Sequence, residues 1–449
     1  MTWWARARGL ASSPRHRRLA AACLVGALAI VHLALAVSIV RQPFDVNRYP
    51  AADRAVIWPL HHDTVHRTGP GADFFATYHA GVKLARGESP YDAREVPRVT
   101  PPYYPFRYLP IIALTLGTGA AAIAPRAAYV AWVIVLELVL ACSIALLWRA
   151  GHALPWKVAY AAALLVSSPF LLELHMGQFT FATLALLSIG ALQLDRARPI
   201  SGGLAYVLAA LLKVVPLAAI PALVRHRRGR LAAAAAVAAV VATNAPYFLR
   251  HPGDWTAFYD RNFGPVGTDG FHGGNYGLLY VLWKLFVELG IARSFQSFAT
   301  AWQLGTLGVT ALIVLWRKPP MLTGAIALMF AHMISYKHVW EHHASGAVVC
   351  AVFLLLHANA VAWRGRWIAV ACLIALVLPT PFVLVDPRVA GQWDPLPSWS
   401  PAARYLLPMC KALPELALWI LSLVYVIRFP PPSDAPAPSG PPALAAAAP

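Results

Sequence analysis

Two short stretches concentrate the side chains able to move a proton or hold an anion. The first is Gly71-Ala-Asp73-Phe-Phe-Ala-Thr-Tyr78-His-Ala-Gly81, continuing to Pro90-Tyr91-Asp92. Phe74, Tyr78, Val82 and Ala85 recur at helical spacing, which predicts an amphipathic helix with Asp73 at its start. The piece is too short and too polar to cross a bilayer, and it lies between two stretches that can. A carboxylate is thereby held at the membrane edge, where a base acting on a lipid-linked molecule would sit. Asp just before a helix is equally a favoured N-cap, and a helix N-terminus stabilises the carboxylate and weakens it as a base. The second stretch is Lys337-His338-Val-Trp340-Glu341-His342-His343 between two apolar runs, where Lys and His serve either as anion ligands or as interfacial anchors. His338 and His342 are spaced i, i+4, and His61, His62 and His66 lie near the first stretch. No third ligand is pinned by spacing, so no metal and no other cofactor is expected.

The elements that must position these groups follow from composition. Hydrophobic residues make up 59% of 449 residues, charged residues 12%, and the mean hydropathy is +0.58. That is too apolar for a soluble protein and long enough for many spans, so the expected class is an all-α polytopic membrane protein. The net charge of +18 sits largely in Arg-rich turns at the ends of apolar runs, which reads as positive-inside topology and not as nucleic-acid binding. The five cysteines fall in or beside apolar runs without paired spacing, so packing is their expected role.

Arg6 to Arg18 precede a first run, Leu19–Val40, too long for a signal peptide, which sets the N-terminus in the cytoplasm. Further runs follow at Tyr108–Ala124, Ala127–Trp148, Lys157–Glu173, Phe179–Leu194, Gly202–Val224 and Leu231–Phe248, then at Phe298–Trp316, Met321–Tyr336, Ala344–Ala360, Trp367–Val385 and Tyr405–Ile427. They amount to a bundle of about twelve transmembrane helices within residues 1–429, with both termini cytoplasmic. Two large extracytoplasmic loops, 41–107 and 249–297, carry interfacial helices, and 276–289 is one because Lys284 and Glu288 interrupt it. The Pro/Ala-rich tail 430–449 is expected to be disordered. Arg225-His-Arg-Arg-Gly-Arg230, Arg317-Lys318 and Arg364-Gly-Arg366 mark cytoplasmic turns. Alternating crossings put loops 149–157 and 195–198 outside, against their positive charge. A re-entrant segment near Tyr108 together with a hairpin broken at Lys213–Pro216 would reverse both, and the two schemes stay open. Glu137 and Lys213 are ionisable groups inside apolar runs, hence functional candidates.

Asp73-Phe-x-x-x-Tyr78-x-Ala80-Gly81, Gly87-x-x-Pro90-Tyr91-Asp92, Phe106-Arg107-Tyr108-x-Pro110, Gly177-Gln178, Leu212-Lys213-x-x-Pro216 and Trp340-x-His342-His343 occur in one order along the chain. In this the sequence resembles bacterial membrane glycosyltransferases of family 87, of the GT-C class, which include polyprenyl-phosphate-mannose-dependent mannosyltransferases. The resemblance runs to about residue 360. It departs at Asn275-Tyr276-Gly277, where members often show Asn-Gln-Ser, and before Trp340, where they often show Ser-Pro-x-Ser-Trp. It implies a GT-C-like bundle in the bacterial plasma membrane and inverting transfer of a hexose, mannose first among candidates. The donor would be a polyprenyl-phosphate sugar and the acceptor a lipid-linked or envelope glycan, on the extracytoplasmic side among membrane lipids. Asp73 would be the base. Lys213, Arg261, Lys337, His342 and His343 would hold the donor phosphate, and Tyr78, Asp92, Arg107, Gln178 and Asn275 would contact substrate. The rivals are a transporter or flippase of lipid-linked sugars, a polymerase or ligase using a polyprenyl-diphosphate donor, and a GT-C enzyme using another sugar such as arabinofuranose.

Overall fold

The computed structural model describes residues 13–42, 69–92, 99–101, 103–150, 152–264, 275–381 and 400–429. His61, His62, His66, Asp269, His272, most of the loop before Arg404 and the 430–449 tail fall outside the described residues. Among the described residues the regular structure is helical, apart from one antiparallel bridge between Asn275 and Trp340. The helices are α1 (Pro14–Val40), α2 (Ala72–Ala85), α3 (Pro110–Ala121, with a π-turn at its middle), α4 (Pro125–Trp148), α5 (Leu154–Leu165), α6 (Ser168–Met176), α7 (Thr180–Asp195) and α8 (Pro199–Leu212). They continue as α9 (Ile220–Leu223), α10 (Arg227–Arg250), α11 (Pro252–Asn262), α12 (Leu278–Glu288), α13 (Phe295–Arg317), α14 (Met321–Ser335), α15 (Ala344–Ala360), α16 (Arg366–Val377) and α17 (Pro401–Arg428). Several start on proline, which fits the first helical position because no partner exists there for its missing N–H. Seven helical runs are long and apolar enough to cross a membrane, and five shorter apolar helices of 10–17 residues occupy the other predicted runs. The chain is an all-α polytopic membrane protein.

Side-chain bonds sort the ends of these helices onto two faces. On the basic face, the Asp195 carboxylate accepts from Met321 N at 2.9 Å and Leu322 N at 3.0 Å, capping α14. His226 Nε2 donates to the Pro319 carbonyl at 3.1 Å, Arg317 donates to the Ile427 carbonyl, and the Arg366 guanidinium lies over the Trp156 ring. The turns near 150–157, 195–198, 225–230, 317–320 and 364–366 therefore share one face, as their common positive charge requires. On the opposite face, Arg126 donates to the Val40 carbonyl at 3.3 Å, Tyr78 OH to the Ile123 carbonyl at 3.3 Å, and Ile111 N to Asn244 Oδ1 at 2.9 Å.

Among the described residues, two of the twelve predicted runs begin and end on the same face. Helix α3 stays on the non-basic face at both ends. The run Gly202–Val224 is a hairpin and not a span. Helix α8 rises 14 residues from the basic face, about 21 Å at ~1.5 Å per residue against a ~30 Å hydrocarbon core. It breaks at Lys213, whose backbone is extended (φ −142°, ψ 148°), and a 3₁₀ turn Val215–Ala219 with α9 leads back to the Arg225–Arg230 knot. Pro216 has no N–H to continue the α8 ladder, and Tyr206 OH ties the two limbs by donating to the Pro216 carbonyl at 3.0 Å. This geometry selects the scheme with loops 149–157 and 195–198 on the basic side. The simple alternation fails because hydropathy does not distinguish a bent apolar hairpin from one span.

Two further packing devices hold the helices together. A Cβ on Gly81 would lie 2.1 Å from the Gly117 carbonyl, so α2 rests backbone to backbone on the π-turn of α3. Glu137 is absorbed by structure: its carboxylate meets His32 Nε2 at 2.9 Å, while His32 Nδ1 donates to the Leu165 carbonyl at 2.8 Å, pinning α1, α4 and α5 together.

In a cysteine-free background, cysteines at positions 198 and 228 should resist an impermeant maleimide in whole cells and react after permeabilisation. A cysteine at position 260 should react in whole cells. Whole-cell labelling of 198 together with 260 would rule out the hairpin.

Candidate active site

Asp73 is not the N-cap of α2. Gly71 takes that position at φ 80°, its N–H donating to the His175 carbonyl at 2.6 Å and its own carbonyl accepting from Phe75 N at 2.7 Å. An added Cβ there would meet the Phe75 ring at 2.6 Å, so the left-handed turn and the packing both require glycine. Asp73 falls one residue inside the helix and makes no capping bond. Phe74 and Phe75 turn into an aromatic cluster with Tyr129 and Trp132. Those two rings hold the end of α6, Tyr129 OH donating to the Leu174 carbonyl at 2.8 Å and Trp132 Nε1 to the Gly177 carbonyl at 2.9 Å. With its apolar neighbours committed, α2 leaves Asp73 facing a cavity.

The cavity has a volume of about 510 Å³, within the usual range for ligand sites. It gathers Asp73, Arg107, Gln178, Lys213, Lys337, His342 and His343. Leu212, Val214, Leu217, Ala218 and Leu307 give it an apolar wall. Asp73 is 14% exposed, and its Oδ2 accepts no hydrogen bond among the described residues; His342 Nε2 stands 3.7 Å away. Burial pushes the Asp73 carboxyl up to about 6, outweighing the opposing pull of Lys213, Arg107 and Gln178. A carboxylate at that value is ionised at neutral pH and is a better base than an ordinary Asp.

Lys213 sits at the tip of the hairpin, donating to Thr180 Oγ1 at 2.6 Å with its ammonium 5.3 Å from the Phe179 ring centroid. Lys337 donates to the Gly264 carbonyl at 2.6 Å, and burial with Arg107 nearby holds its ammonium below the usual lysine range. Gln178 accepts from Tyr108 OH at 3.1 Å and from Phe179 N at 2.9 Å. His343 Nδ1 accepts from Trp340 N at 3.0 Å, orienting the turn that carries His342.

Four predicted site residues do not line the cavity. Arg261 donates to the carbonyls of Phe106 at 2.8 Å and Tyr91 at 2.6 Å, clamping the two outer loops. Tyr78 is tied to Ile123, and Asp92 offers its carbonyl to Lys83 Nζ. Asn275 Nδ2 donates to the Lys337 carbonyl at 2.7 Å and its Oδ1 accepts from Gly277 N at 2.9 Å, so it holds the Lys337–Trp340 segment in place. Sequence reasoning missed Tyr108, Thr180 and His332 in the cavity wall, and Glu173, wholly buried behind it. An ionisable residue at the end of an apolar run was the available signal for Glu173.

Asp73→Asn separates activity from stability. If Asp73 is the base, the variant loses 10²- to 10⁴-fold in turnover, about 3–5 kcal/mol. The folded value near 6 lies above the ordinary 3.8, so ionised Asp73 opposes folding above pH 6, by roughly 3 kcal/mol at ~1.4 kcal/mol per unit. That cost fades as pH falls toward 4. The Asn variant should therefore melt higher than wild type at pH 7.5 and by only about a third of that margin at pH 4.5, and wild-type kcat/KM should drop tenfold per unit below pH 6. Near-normal turnover in a folded Asn variant would remove Asp73 from the chemistry.

The family model for glycosyltransferase family 87 matches residues 103–336, just over half of the 449-residue chain. Arg107, Gln178, Lys213, Arg261 and Asn275 fall within the match, and Asp73, His342 and His343 flank it. Comparison with curated proteins finds no match. The extent of the family match, with the membrane helices and the cavity they enclose, makes this chain a member of glycosyltransferase family 87.

Proposed function

We propose that the protein transfers a hexose, most naturally mannose, with inversion from a polyprenyl-phosphate sugar to a hydroxyl of a lipid-linked or envelope glycan. The reaction would take place at the extracytoplasmic side of the bacterial plasma membrane, with both termini cytoplasmic. The observation that carries this reading is the cavity's charge pattern. Asp73 is the one carboxylate among its described lining residues, and Arg107, Lys213 and Lys337 are three cations around the same space.

The chemistry follows from that pattern. Retention through a covalent intermediate needs a nucleophile besides the acid/base group, and the lining offers a single carboxylate. In a single displacement the acceptor oxygen attacks the anomeric carbon, Asp73 takes the hydroxyl proton, and the bond from that carbon to the phosphate oxygen breaks. Its electron pair leaves with the phosphate, where Lys213, Arg107 and Lys337 stabilise the growing charge by charge-assisted hydrogen bonds. His342, 3.7 Å from Asp73, is placed to orient the carboxylate or to relay the proton. The apolar wall of Leu212, Val214 and Leu217 suits a prenyl chain better than a nucleotide.

Purified protein in nanodiscs, given radiolabelled polyprenyl-phosphate mannose and a membrane lipid extract, should form a product of inverted anomeric configuration. Lys213→Ala should raise donor KM or lower turnover by about 1–3 kcal/mol, the range for a lost charge-assisted bond. Movement of the labelled lipid across a liposome membrane without transfer would favour a flippase and overturn the proposal.

A further inference from the structure

A second cavity, of about 410 Å³, opens on the basic face and shares no lining residue with the one that holds Asp73. It lies between the turn that ends α15 and the last two turns of α17. Ala362 reverses the chain there in a left-handed conformation, φ 51°, and Trp363 N donates to the Ala358 carbonyl at 3.0 Å. A Cβ on Gly365 would meet the Trp363 indole at 2.3 Å, so glycine lets that ring tuck under the turn. Trp363 packs edge-on against Tyr425 at 5.3 Å between ring centroids, and Tyr425 against Phe429 at 5.0 Å. Trp363 and Phe429 thus give the cavity an aromatic lining held from below by Tyr425.

The wall supplied by α17 is graded. Leu421, Val424 and Arg428 line it at i, i+3 and i+7, which is one helix face. Leu421 lies about 10 Å deeper in the membrane than Arg428, at ~1.5 Å per residue along the axis. The face is therefore apolar at the depth of acyl chains and cationic at the level of headgroups. Arg364 adds a second cation from the turn opposite, and no carboxylate is among the described lining residues.

The arginines at this corner divide in two. Arg317 donates to the Ile427 carbonyl, and Arg366 lies over the Trp156 and Trp367 rings, so both are committed to the fold. Arg364 and Arg428 are exposed, and neither guanidinium has a hydrogen bond or ion pair among the described residues. Positive-inside topology accounts for their charge but not for the apolar cleft beneath them. Two unpaired guanidinia above a greasy cleft complement an anion that carries hydrocarbon, and a basic pocket between helix ends is where an anionic lipid headgroup fits. We propose that this cleft binds an anionic phospholipid of the leaflet at the basic face, its phosphate between Arg364 and Arg428 and an acyl chain along Val424 and Leu421. The site stands apart from the transfer reaction and does not rest on that reading.

Native mass spectrometry of the full chain in detergent, titrated with dioleoyl phosphatidylglycerol or with phosphatidylcholine of the same chains, reads the site directly. The first phosphatidylglycerol should bind roughly 25-fold more tightly than the first phosphatidylcholine, about a factor of five for each arginine. Arg364→Gln combined with Arg428→Gln should abolish that preference. Arg196→Gln combined with Arg198→Gln removes two charges from another turn of the same face and should leave it intact. Equal affinity of the wild type for the two lipids, or an equal loss in both double variants, would overturn the site.

Val424→Phe fills the apolar wall with both charges kept, and should weaken the first phosphatidylglycerol severalfold. An unchanged affinity in that variant would take the chain out of the cleft and defeat the proposal. Glycerol 3-phosphate has the phosphate without the chains and should not displace the lipid. Displacement at the lipid's own concentration would assign the arginines to a free phosphate instead, and a dimer in place of lipid adducts, lost with the arginine pair, would give the face to a second copy of the chain. If the double Gln variant at 364 and 428 does not fold, Arg428→Gln alone decides: a loss of about fivefold in preference supports the site, and an unchanged preference overturns it.

Discussion

The structure depends on keeping an ionised carboxylate out of water without neutralising it. Asp73 is nearly buried, its Oδ2 accepts no hydrogen bond among the described residues, and His342 Nε2 stands 3.7 Å away. A tight salt bridge would have made the site more stable and Asp73 a weaker base, because an opposite charge at contact favours the ionised form. Holding cations near the carboxylate but not on it leaves a base that is charged at neutral pH and still able to accept a proton. The aromatic packing of Phe74, Phe75, Tyr129 and Trp132 holds the start of α2 in place and contributes to stability there.

That separation has to be enforced by backbone, since flexible side chains left alone would collapse into contact. Lys213 is carried on a break between two helical limbs and not on a continuous helix, and Thr180 claims its ammonium. Lys337 and His342 are carried on the short stretch that Asn275 and Tyr276 hold by main-chain and amide bonds, Tyr276 N donating to the Val339 carbonyl at 2.6 Å. Behind that stretch, Glu341 pairs with Lys411 of α17 at 3.5 Å and accepts from Thr380 N at 3.1 Å, so the last helix also anchors the turn bearing His342. Lys213 and the Lys337–His342 stretch therefore stand on separate rigid mounts, and the space between the mounts is the cavity.

Sequence reasoning reached the groups that stand out chemically from their surroundings. Asp73 was legible as a carboxylate on an amphipathic stretch between spans, and Lys213 as a lysine in an apolar run. The helical, membrane-embedded class followed from hydropathy alone. What failed has a common cause: hydropathy and motif spacing carry no information about where a distant backbone carbonyl will lie. Arg261 and Asn275 look like substrate ligands, yet both spend their donors on carbonyls of loops far away in sequence. Likewise the run Gly202–Val224 has the length and polarity of a span, and only the Tyr206–Pro216 contact with the shared face of Asp195 and His226 reveals the hairpin. The N-cap was misplaced by two residues because a left-handed glycine can cap a helix as the polar side chain two positions later cannot.

The family match and the site divide in an informative way. The matched segment holds Arg107, Gln178 and Lys213, which suit an anion, whereas Asp73 and His342 come from either side of it. The cation set is built largely within one contiguous stretch, and the carboxylate arrives by the docking of α2 on α3 and α6. The Gly81–Gly117 contact and the Gly71–His175 bond fix that docking to within the tolerance of a hydrogen bond. A carboxylate brought in on a separate element can be set at a distance from the cations that their own segment does not dictate. The arrangement thus allows the geometry about Asp73 to change through α2 and its loop while the cationic side of the cavity stays as it is.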